Sequence, residues 1–496
     1  MAGVITVNLP VFLIILPLVA AFILPTIGRR QRLQENLLLV VGSLGILGAG
    51  YLAYLVMDGG ISSVYQMGGW PAPWGIELQV DGLAAFFLLV ITFVLFPVFL
   101  FSRGNLAEEV GGREKTARFY VLILLLGGAL AGMALTNDLF NVYVLVEVST
   151  ISCVALVSSR NHPLSAEAAF RYLILATFGS ALILGGIGFI YIITGHLNMG
   201  FAAQELAQVW QYRPHVVWMA LIFLLTGFGI KAALFPLHLW LPDAHSIAPT
   251  PASAILSGLA VKGYIICLFK FFYRIAGPFL LQELAMDKIM RTAGLLGIVL
   301  ASLMAIRQDE LKRRLAFSTV AQIGYLFLGA SLLNTRGLAG TFFYLASHAV
   351  IKAALFLSAG TMLAATGKEK VSQLAGIGRK MPVTTAVFTI ASLGLVGVPL
   401  FSGFVGKWYL LLGALDGGDF LSALVIIGGS VLCAAYLFPV VRLAYFEPAE
   451  IEEAEDPGIP QKIALVFLAV LVVLLGVMPG TVLDLAGRAA LDLLTP

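Results

Sequence analysis

The chain has 496 residues, 60% of them hydrophobic and only 11% charged, with a formal net charge of +3. An ordinary soluble domain carries roughly 25% charged residues, so no water-surrounded core accommodates this composition, and the small net charge gives no reason to expect a nucleic-acid partner. Apolar runs of about twenty residues recur along the chain, the length that crosses a hydrocarbon layer about 30 Å thick.

MAGVITVNLP has no basic residue before its apolar run, so it reads as a retained first span rather than a cleaved signal. Cutting at polar, Gly and Pro punctuation predicts fourteen spans, near residues 4–27, 35–57, 82–102, 119–135, 139–158, 172–194, 216–235, 250–273, 291–307, 315–333, 338–365, 383–413, 420–446 and 462–479. The three cysteines, Cys153, Cys267 and Cys433, lie in apolar sequence without CxxC spacing and read as buried, inert thiols; no cofactor or metal is expected.

Of the thirty Lys and Arg, eighteen fall in the odd-numbered loops, Arg29, Arg30, Arg113, Arg118, Lys312, Arg313, Arg314 and Lys462 among them. The even loops and the C-terminal tail hold six. That bias places the odd loops in the cytoplasm and both termini outside. The acidic run Glu447–Asp456 lies in the last odd loop and reads as a solvated face, with docking of a basic partner as the sharper alternative.

Two spans are broken. The seventh, FGIKAALFPLHLWLPDAHSIAPTP, carries Pro236, Pro242, Pro249 and Pro251, and the twelfth, LGLVGVPLFSGFVGKWYLL, carries Pro399 among Gly394, Gly397, Gly403 and Gly406. Proline frees backbone carbonyls that are tolerated at membrane depth only where protein or a water-filled cavity satisfies them. Interrupted spans about five helices apart point to a transport site built from inverted repeats. The hexapeptide IKAALF occurs at Ile230–Phe235 and Ile351–Phe356, but its spacing of four helices does not match that repeat.

An ionisable side chain at mid-bilayer costs roughly 2.5–3.5 kcal/mol and marks function by default. Glu147 is the one clearly central carboxylate; Lys231, Lys262, Lys352 and Lys407 are central lysines, and His348 shares a helix face with Lys352. A Glu147–Lys231 pair reads either as a static pin between helices or as a switch: a carboxylate partner favours the ammonium form, and loss of hydration disfavours it. Lys270 and Arg442, nearer span ends, are expected to snorkel. His238, Asp243 and His245 flank the break in span seven, where they carry protons from the cytoplasmic side towards Lys231 or cap the broken helix. His162, His196 and His215 lie in loops and receive no role.

These residues resemble a known family, the antiporter-like subunits shared by respiratory complex I, membrane-bound hydrogenases and Mrp-type cation/proton antiporters. The similarity spans almost the whole chain: TNDLFNVYVLVE, GIKAALFPLHLWLPDAHSIAPTPASAILSG, LKRRLAFSTVAQIGY, SHAVIKAALFLSAG and GVPLFSGFVGKW follow in the family's order. The resemblance implies two inverted five-helix repeats, spans four to eight (119–273) and nine to thirteen (291–446), after helices one to three (1–118) and before helix fourteen and the tail (462–496). It also implies a proton axis through Glu147, Lys231, Lys262, His348, Lys352 and Lys407, in which Glu147 tunes Lys231, Lys262 connects the halves and Lys407 ends the second half-channel.

GGWPAPWGIELQVDGLAAFF and ITGHLNM look most like the D subunit of Mrp-type sodium/proton antiporters. No carboxylate lies in span six, and no long lateral helix follows span fourteen, unlike the largest complex I and A-type Mrp subunits. EVSTISCVALVSSRN is less typical of D subunits and keeps open a homologous subunit of a hydrogenase or similar redox-driven complex. The expectation is an ion-translocating subunit that makes and breaks no covalent bonds, multi-pass in a prokaryotic cell membrane beside other subunits, with sodium as the complex's second ion. A stand-alone solute carrier and an inert scaffold are the readings from other classes.

Overall fold

The computed structural model describes residues 2–28, 30–59, 63–448 and 454–495, so Arg29 and the Glu450–Glu453 part of the acidic run lie outside the described residues. The chain is a mostly helical membrane bundle, as its composition requires. Twelve of its described helices are long and apolar enough to cross a membrane. The other two expected spans are the more polar Leu311–Ser331, which opens on Lys312, Arg313 and Arg314, and the broken pair Pro382–Val396 and Ser402–Asp416.

Hydrogen bonds sort the loops into two sets. On the odd side, Arg103 bonds Glu35 at 3.3 Å, the Thr250 amide donates to Glu109 at 2.6 Å, Arg160 donates to the Ile247 carbonyl at 3.0 Å, and Leu311 bonds the Glu369 carbonyl at 2.9 Å. On the even side, Asn137 bonds the Glu77 carbonyl at 2.9 Å, Asn198 reaches Glu77 at 2.8 Å, and Arg291 pairs with Asp419. This alternation is what fourteen crossings require.

Several helices start where a short polar side chain takes up an orphan backbone N–H: Asp81 caps Gly82–Phe101, Asp138 caps Leu139–Ser158, Asn334 caps Thr335–Thr366 and Asp419 caps Phe420–Phe446. At the centre runs Thr250–Glu283, 34 residues whose apolar stretch is wholly buried. Its ladder loosens into π-helical turns at Leu256–Ala260 and Lys270–Ala276. Such turns are rare and concentrate at functional sites.

The even side carries elements that no span prediction contains, the helices Met199–Val209 and Gly277–Glu283 among them. An antiparallel hairpin pairs Ser63–Gln66 with Glu77–Val80 and joins the loop after span four through Leu78 and Thr136. The C-terminal tail is a helix, Gly480–Leu494, whose stripe of Leu485, Ala486, Ala489, Ala490 and Leu493 is buried. Asp492 accepts the Gly82 N–H at 2.7 Å, and Arg488 donates to the Met57 carbonyl at 2.8 Å, tying this helix to the ends of spans two and three.

Candidate functional site

Span seven ends its first half at Lys231 and resumes as Leu241–Ile247. Ala233 takes a left-handed φ of 55°, and the indole N–H of buried Trp240 donates to the freed Ile230 carbonyl at 2.7 Å. The break is thus satisfied by the protein itself, as depth in the membrane demands. It leaves Lys231 at a helix C-terminus, where aligned carbonyls favour a cation.

Lys231 is fully buried, 3.7 Å from Glu147 Oε1, and donates to Thr150 Oγ1 at 2.6 Å. Ser180 Oγ donates to the same Glu147 oxygen, while Ser149 bonds the Tyr264 hydroxyl at 3.0 Å. The Glu147 side chain keeps 31% of its surface exposed on the flank of the bundle. The carboxylate therefore looks outward, and the lysine inward.

Lys262 lies two residues before Tyr264 on the central helix, and its ammonium donates to the Ser257 carbonyl within the first π turn. Ser257 Oγ meets Thr319 Oγ1 at 2.8 Å, Thr319 bonds the Leu315 carbonyl at 3.0 Å, and Lys352 donates to that carbonyl at 2.8 Å and to Ser318. A chain of hydroxyls and carbonyls thus joins Lys262 to Lys352 across three helices. His348 is fully buried one helical turn before Lys352. Its ring stacks on Tyr344, whose hydroxyl reaches Gln322 and, through it, Tyr436 at 3.1 Å.

Lys407 follows the break in span twelve and folds back onto it. Its ammonium donates to the Leu395 and Val396 carbonyls at 2.9 and 3.1 Å, the C-terminal end of Pro382–Val396, and to Ser430 at 3.1 Å. The Tyr325 ring centre lies 4.8 Å away. Gly397 makes this turn with φ +90°, and a Cβ there would sit 3.1 Å from the Lys407 Cδ. Gly397→Ala is expected to cost about 1–2 kcal/mol for the left-handed backbone and to dislodge the lysine. Gly367→Ala, at φ +66° with open space around it, should cost similar stability yet spare transport. A thermal unfolding midpoint read beside vesicle transport checks both.

The three residues flanking the seventh-span break separate. Asp243 lies on the odd side, 3.3 Å from Arg171 and 3.0 Å from Arg313. His238 is buried between Phe235 and Phe317. His245 is fully buried against Trp240 and Phe356, and the Lys352 ammonium lies over that same Phe356 ring, 5.7 Å from its centre.

Two expectations are corrected. Lys270 does not snorkel: it is fully buried and donates to the Met133, Ala134 and Thr136 carbonyls at 3.1, 2.7 and 2.8 Å, because the C-terminus of span four ends against it and offers unpaired acceptors. Lys312 and Arg314, counted among loop residues, are buried in the first turn of Leu311–Ser331, where Lys312 donates to the Ala248 carbonyl at 2.6 Å and Arg314 to those of Gln308 and Tyr436 at 2.8 and 3.1 Å. Arg442 is exposed and pairs with Glu447 at 3.1 Å, as a snorkelling side chain does. Beside Lys312, burial, with Glu369 nearby, pushes the Glu310 carboxyl up from its ordinary value.

Ser257, Ser318, Thr319, Gln322 and Tyr325 were not among the predicted site residues. Ser318, Gln322 and Tyr325 recur at helical spacing within LAFSTVAQIGY, a polar stripe legible in the residue pattern itself.

Residues 136–433 match the family model described as NADH:quinone oxidoreductase/Mrp antiporter, TM. The chain is 37% identical over 461 residues to the N subunit of the NADH-quinone oxidoreductase of Desulforudis audaxviator, covering 92% of this chain and 90% of that one. It is 28% identical over 475 residues to the D subunit of the Na(+)/H(+) antiporter of Bacillus subtilis, covering 95% and 94%. Among solved structures, a chain of the archaeal membrane-bound sulfane sulfur reductase superposes with a TM-score of 0.89 at 31% identity, covering 98% of this chain and 97% of that one. A chain of the Mrp complex from Dietzia sp. DQ12-45-1b gives 0.88 at 26%, covering 99% and 98%. With the matched region spanning more than half its length and carrying every buried lysine of the site, the chain belongs to the NADH:quinone oxidoreductase/Mrp antiporter transmembrane family, a family of antiporter-like membrane subunits.

Proposed function

We propose that the chain moves protons across the membrane along the line Glu147, Lys231, Lys262, His348, Lys352 and Lys407, as one subunit of a larger complex and without making or breaking covalent bonds. The observation that carries this reading is the succession of buried ammonium groups, each resting on hydroxyls or on carbonyls freed by a helix end or π turn. At Lys262, Lys352 and Lys407 a protonated amine is held by dipoles rather than by a fixed counter-charge, so it can gain and lose its proton without unpairing a buried carboxylate, whereas Lys231 faces Glu147 at 3.7 Å. Both ring nitrogens of His245 and His348 and the hydroxyls of Ser358, Ser392 and Ser402 lack protein partners among the described residues. Buried polar groups are rarely left so, and hydration of these groups belongs to the proposed reading. The division into two inverted five-helix halves and the cytoplasmic placing of the odd loops belong to the same reading.

Glu147 supports the multisubunit setting. A carboxylate about one-third exposed at mid-membrane is costly against lipid, and a neighbouring subunit is the natural cover. The motifs GGWPAPWGIELQVDGLAAFF and ITGHLNM favour an Mrp-type sodium/proton antiporter as the parent complex. A redox-driven complex is the second reading, favoured by the 37% identity to an oxidoreductase N subunit and the 31% identity to the sulfane sulfur reductase chain.

The test is made on the whole complex in sealed vesicles, with proton movement read by a pH-sensitive dye. Lys352→Ala and Lys407→Ala should each cut transport at least about ten-fold while every subunit still co-purifies. Normal transport in both variants ends the proposal. The identities of the co-purifying subunits decide between the two parents.

A further inference from the structure

We propose that the cavity between spans one, two and four is a binding site for an anionic phospholipid of the odd-side leaflet, its phosphate held by Arg113 and Arg118. The cavity, about 650 Å³, is lined by these two guanidiniums, the amides of Gln31 and Gln34, and Glu114. Glu114 accepts from Arg118 at 2.5 Å and so balances one positive charge, while Arg113 has no partner among the described residues. Gln31 and Gln34 are held in place by bonds to Glu35 at 2.9 Å and to the Gly28 carbonyl at 2.7 Å. Arg30, Arg32 and Lys115, next in sequence to lining residues, are exposed. This is a net positive chamber at the end of the bundle, where headgroups lie.

A second observation gives the tail a direction. Below the chamber an apolar groove between the same spans and span three is lined by Leu13, Pro17, Val41, Gly45, Leu95 and Leu124. Ala117 and Val121 of the chamber and Leu124 of the groove follow one another at helical spacing down span four, so one face of that helix leads from guanidinium to hydrocarbon. A free phosphate would use the chamber alone; a phospholipid uses both. Basic pockets between spans at the membrane surface hold such headgroups, and the planar guanidinium fork suits phosphate oxygens.

The experiment compares the intact complex carrying this chain with its Arg113→Gln/Arg118→Gln variant, whose substituted side chains are exposed. Both are washed in detergent, and retained lipid is measured by mass spectrometry after adding back phosphatidylglycerol or phosphatidylcholine. Retention of phosphatidylglycerol should be about ten- to thirty-fold weaker in the variant. Phosphatidylcholine should be retained poorly by both proteins, and an Arg336→Gln control on the opposite face should behave as wild type. Millimolar inorganic phosphate should not displace the lipid. Equal retention by variant and wild type, equal retention of the two lipids, or full displacement by phosphate overturns the proposal. Loss of neighbouring subunits with lipid content unchanged also overturns it, by showing that protein covers the face.

Discussion

Lys231→Arg is expected to be as inactive in proton transport as Lys231→Met, each at least about ten-fold below wild type with the complex intact. Lys231 and Glu147 stand 3.7 Å apart, with Thr150 taking the ammonium and Ser180 the carboxylate. A static pin between spans five and seven needs only a positive charge, and arginine keeps one. A proton carrier needs a group that also lets go, which a guanidinium does not do in a protein. The arginine variant therefore separates the two readings where an alanine variant cannot. Glu147→Gln adds a second axis: it keeps the Ser180 contact and shape but removes the charge, and transport should fall with little change in the unfolding midpoint. Wild-type rates from Lys231→Arg, measured in the same vesicles, would establish the pin.

Asp81→Ala is expected to produce the largest loss of stability, about 3–5 kcal/mol. Asp81 and Arg274 form a buried pair, with side chains 4% and 6% exposed, and Gln79 accepts from Arg274 at 3.0 Å. The same carboxylate accepts the Ala84 amide at 2.8 Å, capping span three. Removing it strands a buried guanidinium and uncaps a helix. Arg274→Gln alone should cost less than Asp81→Ala, because the cap survives. The double variant Asp81→Asn/Arg274→Gln should be less damaging than the sum of the single changes, since no unpaired charge remains. Thermal or detergent-induced unfolding of the complex reads all three. The exposed pair Arg336–Asp416, bonded at 2.8 Å, is the contrast: breaking it should cost no more than about 1 kcal/mol.

Sequence alone determined the class of this protein, the order of its spans and the residues that had to be costly. An excess of apolar residues admits only a membrane solvent, prolines and glycines name the two breaks, and Glu147, Lys231, Lys262, Lys352 and Lys407 stand out because hydrocarbon offers them nothing. These are properties of single residues and short windows. What each charge rests on was decided only in three dimensions. Lys407 meets carbonyls eleven and twelve residues away, Lys270 meets the end of span four, and Lys262 and Lys352 join through Ser257 on the helix of Lys262 and through Thr319 and Leu315 on a third helix. The amphipathic tail helix likewise has no apolar run of membrane length, and its stripe is buried chiefly against spans three and eleven. Polar satisfaction inside a membrane is a pairwise property of groups far apart in sequence, so the expense of a buried charge is legible in the chain, and its compensation only in the fold.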